Sequence, residues 1–99
     1  MNFADVEQMV ISWAKDRNIL QSTSSEAQII KLEEEFKELC AAISNGSVAD
    51  VRDAIGDMMV VQTLIAKLNS LDMFQCYAAA YIEIKDRKGK MVNGLFVKE

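Results

Sequence analysis

The sequence predicts an all-α fold, a bundle of four helices in one domain spanning residues 1–99. Three observations predict it. Apolar residues recur at helical spacing along most of the chain. No proline is present to interrupt a long helix. Capping-box pairs and an Asn-Gly stop mark where helices should begin and end.

The first helix is expected from Phe3 to about Arg17, with Val6, Met9, Val10 and Trp13 on its apolar side. A polar connection follows, Gln21 to Ser25. Thr23 and Glu26 have capping-box spacing and open a second helix that runs to about Ser44. Asn45-Gly46 ends it, with Gly46 as a left-handed cap. Ser47 and Asp50 open a third helix, which reaches about Leu68. Asn69 to Asp72 form a turn, and Asp72 caps a fourth helix extending to about Arg87. Gly89 and Gly94 punctuate a tail whose Leu95-Phe96-Val97 can pack on the bundle or on a partner chain.

Hydrophobic residues make up 51% of the chain. A single small core cannot absorb so much apolar surface, which points to self-association. The net charge of −4 and the pI near 4.8 argue against binding a nucleic-acid polymer. They leave room for a nucleotide held through metal. No signal peptide is visible, and acids interrupt every apolar run before membrane length, so a cytoplasmic protein with no membrane partner is expected. Cys40 and Cys76 read as small buried hydrophobes in a reducing compartment.

The second helix carries an apolar stripe of Ile29, Leu32, Phe36, Leu39, Cys40 and Ile43. Gln28, Lys31, Glu35 and Glu38 form a row along its edge. Glu33 lies elsewhere and can pair with Lys37, and Glu34 is turned further from the stripe than Glu38. On the third helix, Asp53 and Asp57 align with Val60, Val61, Leu64 and Leu68. Asp57 therefore falls within an apolar face. Beside it, Gly56 costs the helix roughly 1 kcal/mol relative to alanine. That cost suggests close approach by another helix or by a ligand.

If these two helices run antiparallel, Glu35, Glu38, Asp53 and Asp57 can converge. Four carboxylates repel one another unless cations intervene. With no histidine in the chain, oxygen ligands would favour Mg²⁺ or Mn²⁺ over zinc. Lys31, on the row facing the acids, is the best single candidate for a phosphate contact. Lys85, Arg87 and Lys90 have two equal readings. They can neutralise phosphate, or complement a helix C-terminus with a Glu83–Arg87 pair. Trp13 is expected in the core ahead of a role as a stacking platform, a role open also to Phe36. Met9, Met58 and Met59 are expected to fill core.

The motifs Gln28-x-x-Lys31-Leu-x-Glu-Glu35-x-x-Glu38-Leu39 and Asp53-Ala-Ile-Gly-Asp57 resemble those of the MazG-like all-alpha nucleoside triphosphate pyrophosphohydrolases. The short, single-domain members of phages and bacteria are most similar. Trp13-Ala14-x-Asp16-Arg17, Ile84-Lys85-Asp-Arg87-Lys-Gly89-Lys90-Met91 and the ending Gly94-Leu-Phe96-Val97-Lys98 add to the resemblance. It implies Mg²⁺ held by Glu35, Glu38 and Asp57, and hydrolysis of an NTP or dNTP to the monophosphate and pyrophosphate. A role in clearing non-standard or surplus nucleotides would follow. It implies that Lys85 and Arg87 face phosphate, and that the chain forms a homodimer or homotetramer. The substrate-binding set is then Trp13, Arg17, Gln28, Lys31, Lys85, Arg87 and Lys90. Two positions depart from the pattern. Ala54 stands where an acid is usual, leaving the adjacent Asp53 to assist the metal. Ile82 stands where an asparagine is frequent. Both favour an alternative, a non-catalytic helical module that binds nucleotide or metal or only dimerises.

Overall fold

Asn2 starts the first helix. Its side chain accepts from the Asp5 N–H at 2.9 Å, and the Asp5 carboxylate accepts from the Asn2 N–H at 3.1 Å, a complete capping box. In the computed structural model, which describes residues 1–99, five helices and a hairpin follow in order. They are α1 (Phe3–Asp16), α2 (Ile19–Ser22), α3 (Ser25–Asn45), α4 (Val48–Leu68), α5 (Met73–Ile84), β1 (Gly89–Val92) and β2 (Leu95–Lys98). The fold is thus mainly helical, and no helix is long and apolar enough to cross a membrane.

Four of these helices are the ones expected, with local corrections. The polar connection holds one extra helical turn, α2, entered through Asn18 at φ 60°. Ser24, not Thr23, caps α3 by accepting from the Ala27 N–H at 3.1 Å. Thr23 is engaged instead by Gln28, whose Nε2 donates to its Oγ1 at 3.0 Å. Gly46 closes α3 in the left-handed conformation at φ 68°, and Ser47 caps α4. Asp72 occupies the position before α5 without its side chain capping anything. That task falls to Glu7, a buried residue of α1.

The tail is the largest departure. α5 ends at Ile84 rather than near Arg87, and residues 89–98 form an antiparallel hairpin. Its register pairs Gly89 with Lys98, Lys90 with Val97, Met91 with Phe96 and Val92 with Leu95. The two-residue loop is Asn93-Gly94, with φ 51° and 83°, the pair of positive values that hairpin turns of this length favour. At Gly89 a side chain has no room. A Cβ there would collide with the Val97 carbonyl oxygen and lie 2.8 Å from the Phe96 ring.

The core runs along α4, which packs most extensively on α3 and also meets α1 and α5. Small side chains dominate it: Ala14, Ala42, Ala54 and Ala66, with Ile11, Val61 and Leu64. α3 turns Glu35 and Ala42 inward. Its apolar stripe is split: Leu32 and Leu39 are half-buried, whereas Ile29, Phe36 and Ile43, spaced by seven residues, are exposed. Cys40 and Cys76 are exposed rather than buried, and Met9 is exposed too. Gly56 meets open space. A methyl group placed there would find no atom within 4 Å, so no helix of the chain approaches it closely.

The exposed surface is large for a chain of this mass. The chain exposes 7403 Å², whereas a folded monomer of this mass exposes about 5,700 Å². Its radius of gyration is 15.7 Å, against about 12.6 Å for a compact domain of this length.

Candidate metal centre

α3 and α4 are joined by the tight Gly46–Ser47 connection and lie side by side. This brings the acidic row of one against the start of the other. Glu35, Glu38 and Asp57 each present a carboxylate oxygen, and the three oxygens lie within 4.8 Å of one another. That spacing suits shared coordination of one cation and is unfavourable for three unscreened negative charges.

Glu35 is the anchor of the group. It is 4% exposed, on the face of α3 that meets α4. Its Oε1 is 3.3 Å from Lys31 Nζ. Its Oε2 is buried and has no hydrogen-bond partner. A buried carboxylate oxygen left without a donor is costly. A proton on Glu38 or a cation would satisfy it. Accordingly, hydrogen bonding to Glu35 and repulsion from its charge hold the Glu38 carboxyl above the usual glutamate range. Loss of hydration and the charge of Asp57 push the same way, and Lys31 opposes them. Lys31 is itself raised above the ordinary lysine value, first by its hydrogen bond to Glu35 and then by the charges of Glu35 and Glu34.

Asp53 stands apart from the three-oxygen cluster. It lines a cavity of about 270 Å³ together with Glu38, Asp57, Asp50 and Asn45. The sequence pattern does not single out Asp50 or Asn45 for a site. Asp50 lies one helical turn before Asp53, and this spacing is the available signal. Buried Ala54 lines the same cavity.

Trp13 is 42% exposed and is not core. It lines an apolar groove of about 440 Å³ with Val6, Met9, Val10 and Val60, and Asp57 lines that groove as well as the acidic cavity. Arg17 lies over the Trp13 ring, 4.9 Å from its centroid, and its Nη1 donates to the Trp13 carbonyl at 3.3 Å.

The remaining candidates are not gathered at the acids. Gln28 is engaged by Thr23. Lys85 is 3.8 Å from Asp86. Arg87 is 3.8 Å from Glu83, the pair that the helix-terminus reading expects. Neither residue lines the acidic cavity, and nor does Lys90, which sits in β1. The expected Lys37–Glu33 pair forms at 3.1 Å, and Glu34 stays on the surface near Lys31.

One relative is informative. Over 72 residues the chain is 39% identical to an uncharacterised 18.2 kDa protein in the rep-hol intergenic region of Haemophilus phage HP1. The matched stretch covers 70% of this chain but only 44% of the phage protein, so the chain spans less than half of that relative's length. No protein-family model matches the chain. No solved structure matches it.

Proposed function

We propose that the chain is a Mg²⁺-dependent nucleoside triphosphate pyrophosphohydrolase of the MazG-like kind, releasing pyrophosphate and a nucleoside monophosphate. The observation that carries this reading is the unpartnered, buried Oε2 of Glu35 beside the oxygens of Glu38 and Asp57. The donor set is all oxygen, which suits Mg²⁺ or Mn²⁺. Glu35, Glu38 and Asp57 would hold the cation, with Asp53 and Asp50 lining the approach. When bound there, Mg²⁺ would supply Lewis-acid chemistry, offsetting phosphate charge and making a water more acidic.

The chain's own groups then have separate tasks. Lys31 pairs with Glu35 Oε1 at 3.3 Å and braces that carboxylate. The groove between Trp13 and Asp57 offers the base an apolar seat adjoining the acids that serve the phosphates. Lys85, Arg87 and Lys90 are assigned to the phosphates only if another copy brings them near. Two copies joined through the Ile29, Phe36 and Ile43 stripe would complete a four-helix bundle, with the stripe spaced as in a helix-pairing seam.

A non-catalytic, nucleotide-binding module is the second reading. Buried Ala54 in place of an acid favours it, since this leaves three converging carboxylates rather than four. A panel of canonical and modified NTPs and dNTPs with Mg²⁺ separates the two. Pyrophosphate release from at least one substrate is expected. Binding with no turnover across the panel would replace the enzyme by the module.

A further inference from the structure

The C-terminal hairpin has no home in its own chain. Strands β1 and β2 pair with each other and make no extensive contact with any helix. Strand alternation puts Met91 and Phe96 on one face, and Val92, Leu95 and Val97 on the other. All five are exposed. A lone two-stranded hairpin is marginal in water at best, and this one is apolar on both sides.

The chain also carries a surface with the converse property. α5 has no buried residue, although it is the most apolar helix of the chain. Phe3 of α1 and Phe74, Tyr77, Ala78, Tyr81 and Ile84 of α5 line an entirely apolar groove of about 460 Å³. Phe3 stacks at a tilt on Phe74 and Tyr77, at centroid distances of 5.8 and 6.1 Å, so the groove floor is braced.

Area argues that these surfaces are covered by another copy. The chain exposes 7403 Å², roughly 1,700 Å² more than a monomer of its mass should. A standard interface covers about 800 Å² per partner. The α3 stripe alone would therefore leave about half of the surplus exposed. We propose that the hairpin is an exchanged arm: Met91 and Phe96 of one copy seat in the Phe3–α5 groove of a second copy, and the second copy's hairpin seats reciprocally. Such an isologous contact closes on itself. This inference is independent of the metal-centre reading.

Two charge variants test it, Phe96→Glu on the arm and Tyr81→Lys in the groove. Circular dichroism establishes that each keeps its helical content. Sedimentation gives the association constant, and hydrogen exchange follows the hairpin amides. Each variant alone should associate at least tenfold more weakly than the wild type and lose hairpin protection. An equimolar mixture should recover both. In the mixed dimer one arm sets its introduced carboxylate against the introduced ammonium of the partner's groove, and the other arm and groove are unaltered. Wild-type association by either single variant would overturn the proposal. So would failure of the mixture to recover, the result expected if the hairpin folds onto its own groove.

Discussion

Glu7 of α1 accepts the backbone N–H of Met73, the first residue of α5, at 2.7 Å. Its other oxygen accepts from the Phe74 N–H at 3.2 Å. A carboxylate from a helix 66 residues away thus satisfies two free donors at a helix N-terminus, where negative charge is also favoured by the helix dipole. Glu7 is 6% exposed, so water cannot replace it easily. Glu7→Ala should cost about 2–3 kcal/mol of unfolding free energy. Denaturant titration measures this, and a change below about 0.5 kcal/mol would show that the cap is expendable.

Removing a proposed ligand should separate metal binding from folding. Glu38→Gln keeps the shape of the side chain but loses its charge. Mg²⁺ affinity by calorimetry, and any pyrophosphate release, should fall at least about 100-fold, because ligand loss exceeds the effect of losing an outer-shell partner. The melting temperature without metal should stay level or rise, since one of three crowded negative charges is gone. Unaltered Mg²⁺ affinity would remove Glu38 from the ligand set.

Trp13 is the single tryptophan, so its fluorescence reports on one groove only. Nucleoside triphosphate with Mg²⁺ should quench or shift this emission. Inorganic triphosphate with Mg²⁺, which has no base, should leave it nearly unaltered. Equal responses to both would place the base somewhere other than the Trp13 groove.

Gly56 occupies the interior of α4 with open space where a methyl would go. In the isolated chain, Gly56→Ala should therefore stabilise by about 0.5–1 kcal/mol, through helix propensity and a less flexible unfolded chain. Thermal and denaturant unfolding at low protein concentration measure it. Destabilisation would mean that a second copy or a bound group packs against Gly56.

The helices are legible in the sequence because their signals are local. Helical spacing, the Ser47 cap and the left-handed Gly46 involve neighbours within a few residues, and all three appear as expected. The hairpin signal is equally local, since Asn93-Gly94 between apolar runs is a strong two-residue turn motif. Reading residues 89–98 as a punctuated tail passes over it. Glu35, Glu38 and Asp57 are also nameable from sequence, because their positions in the helical repeat place them near a shared edge. Tertiary structure alone decided which way that edge faces. α3 packs Glu35 and Ala42 against α4, half-buries Leu32 and Leu39, and leaves Ile29, Phe36 and Ile43 outside, only partly what an amphipathic pattern implies for a monomer. Periodicity identifies which residues share a face. It carries no information on whether that face meets its own chain or another, because the free energy of burial is the same in either place. The Glu7 cap, the isolation of Asp53 from the carboxylate cluster and the separation of Lys85 and Arg87 from the acidic cavity are of the same kind. Each depends on how distant segments are placed in space, which local spacing does not encode.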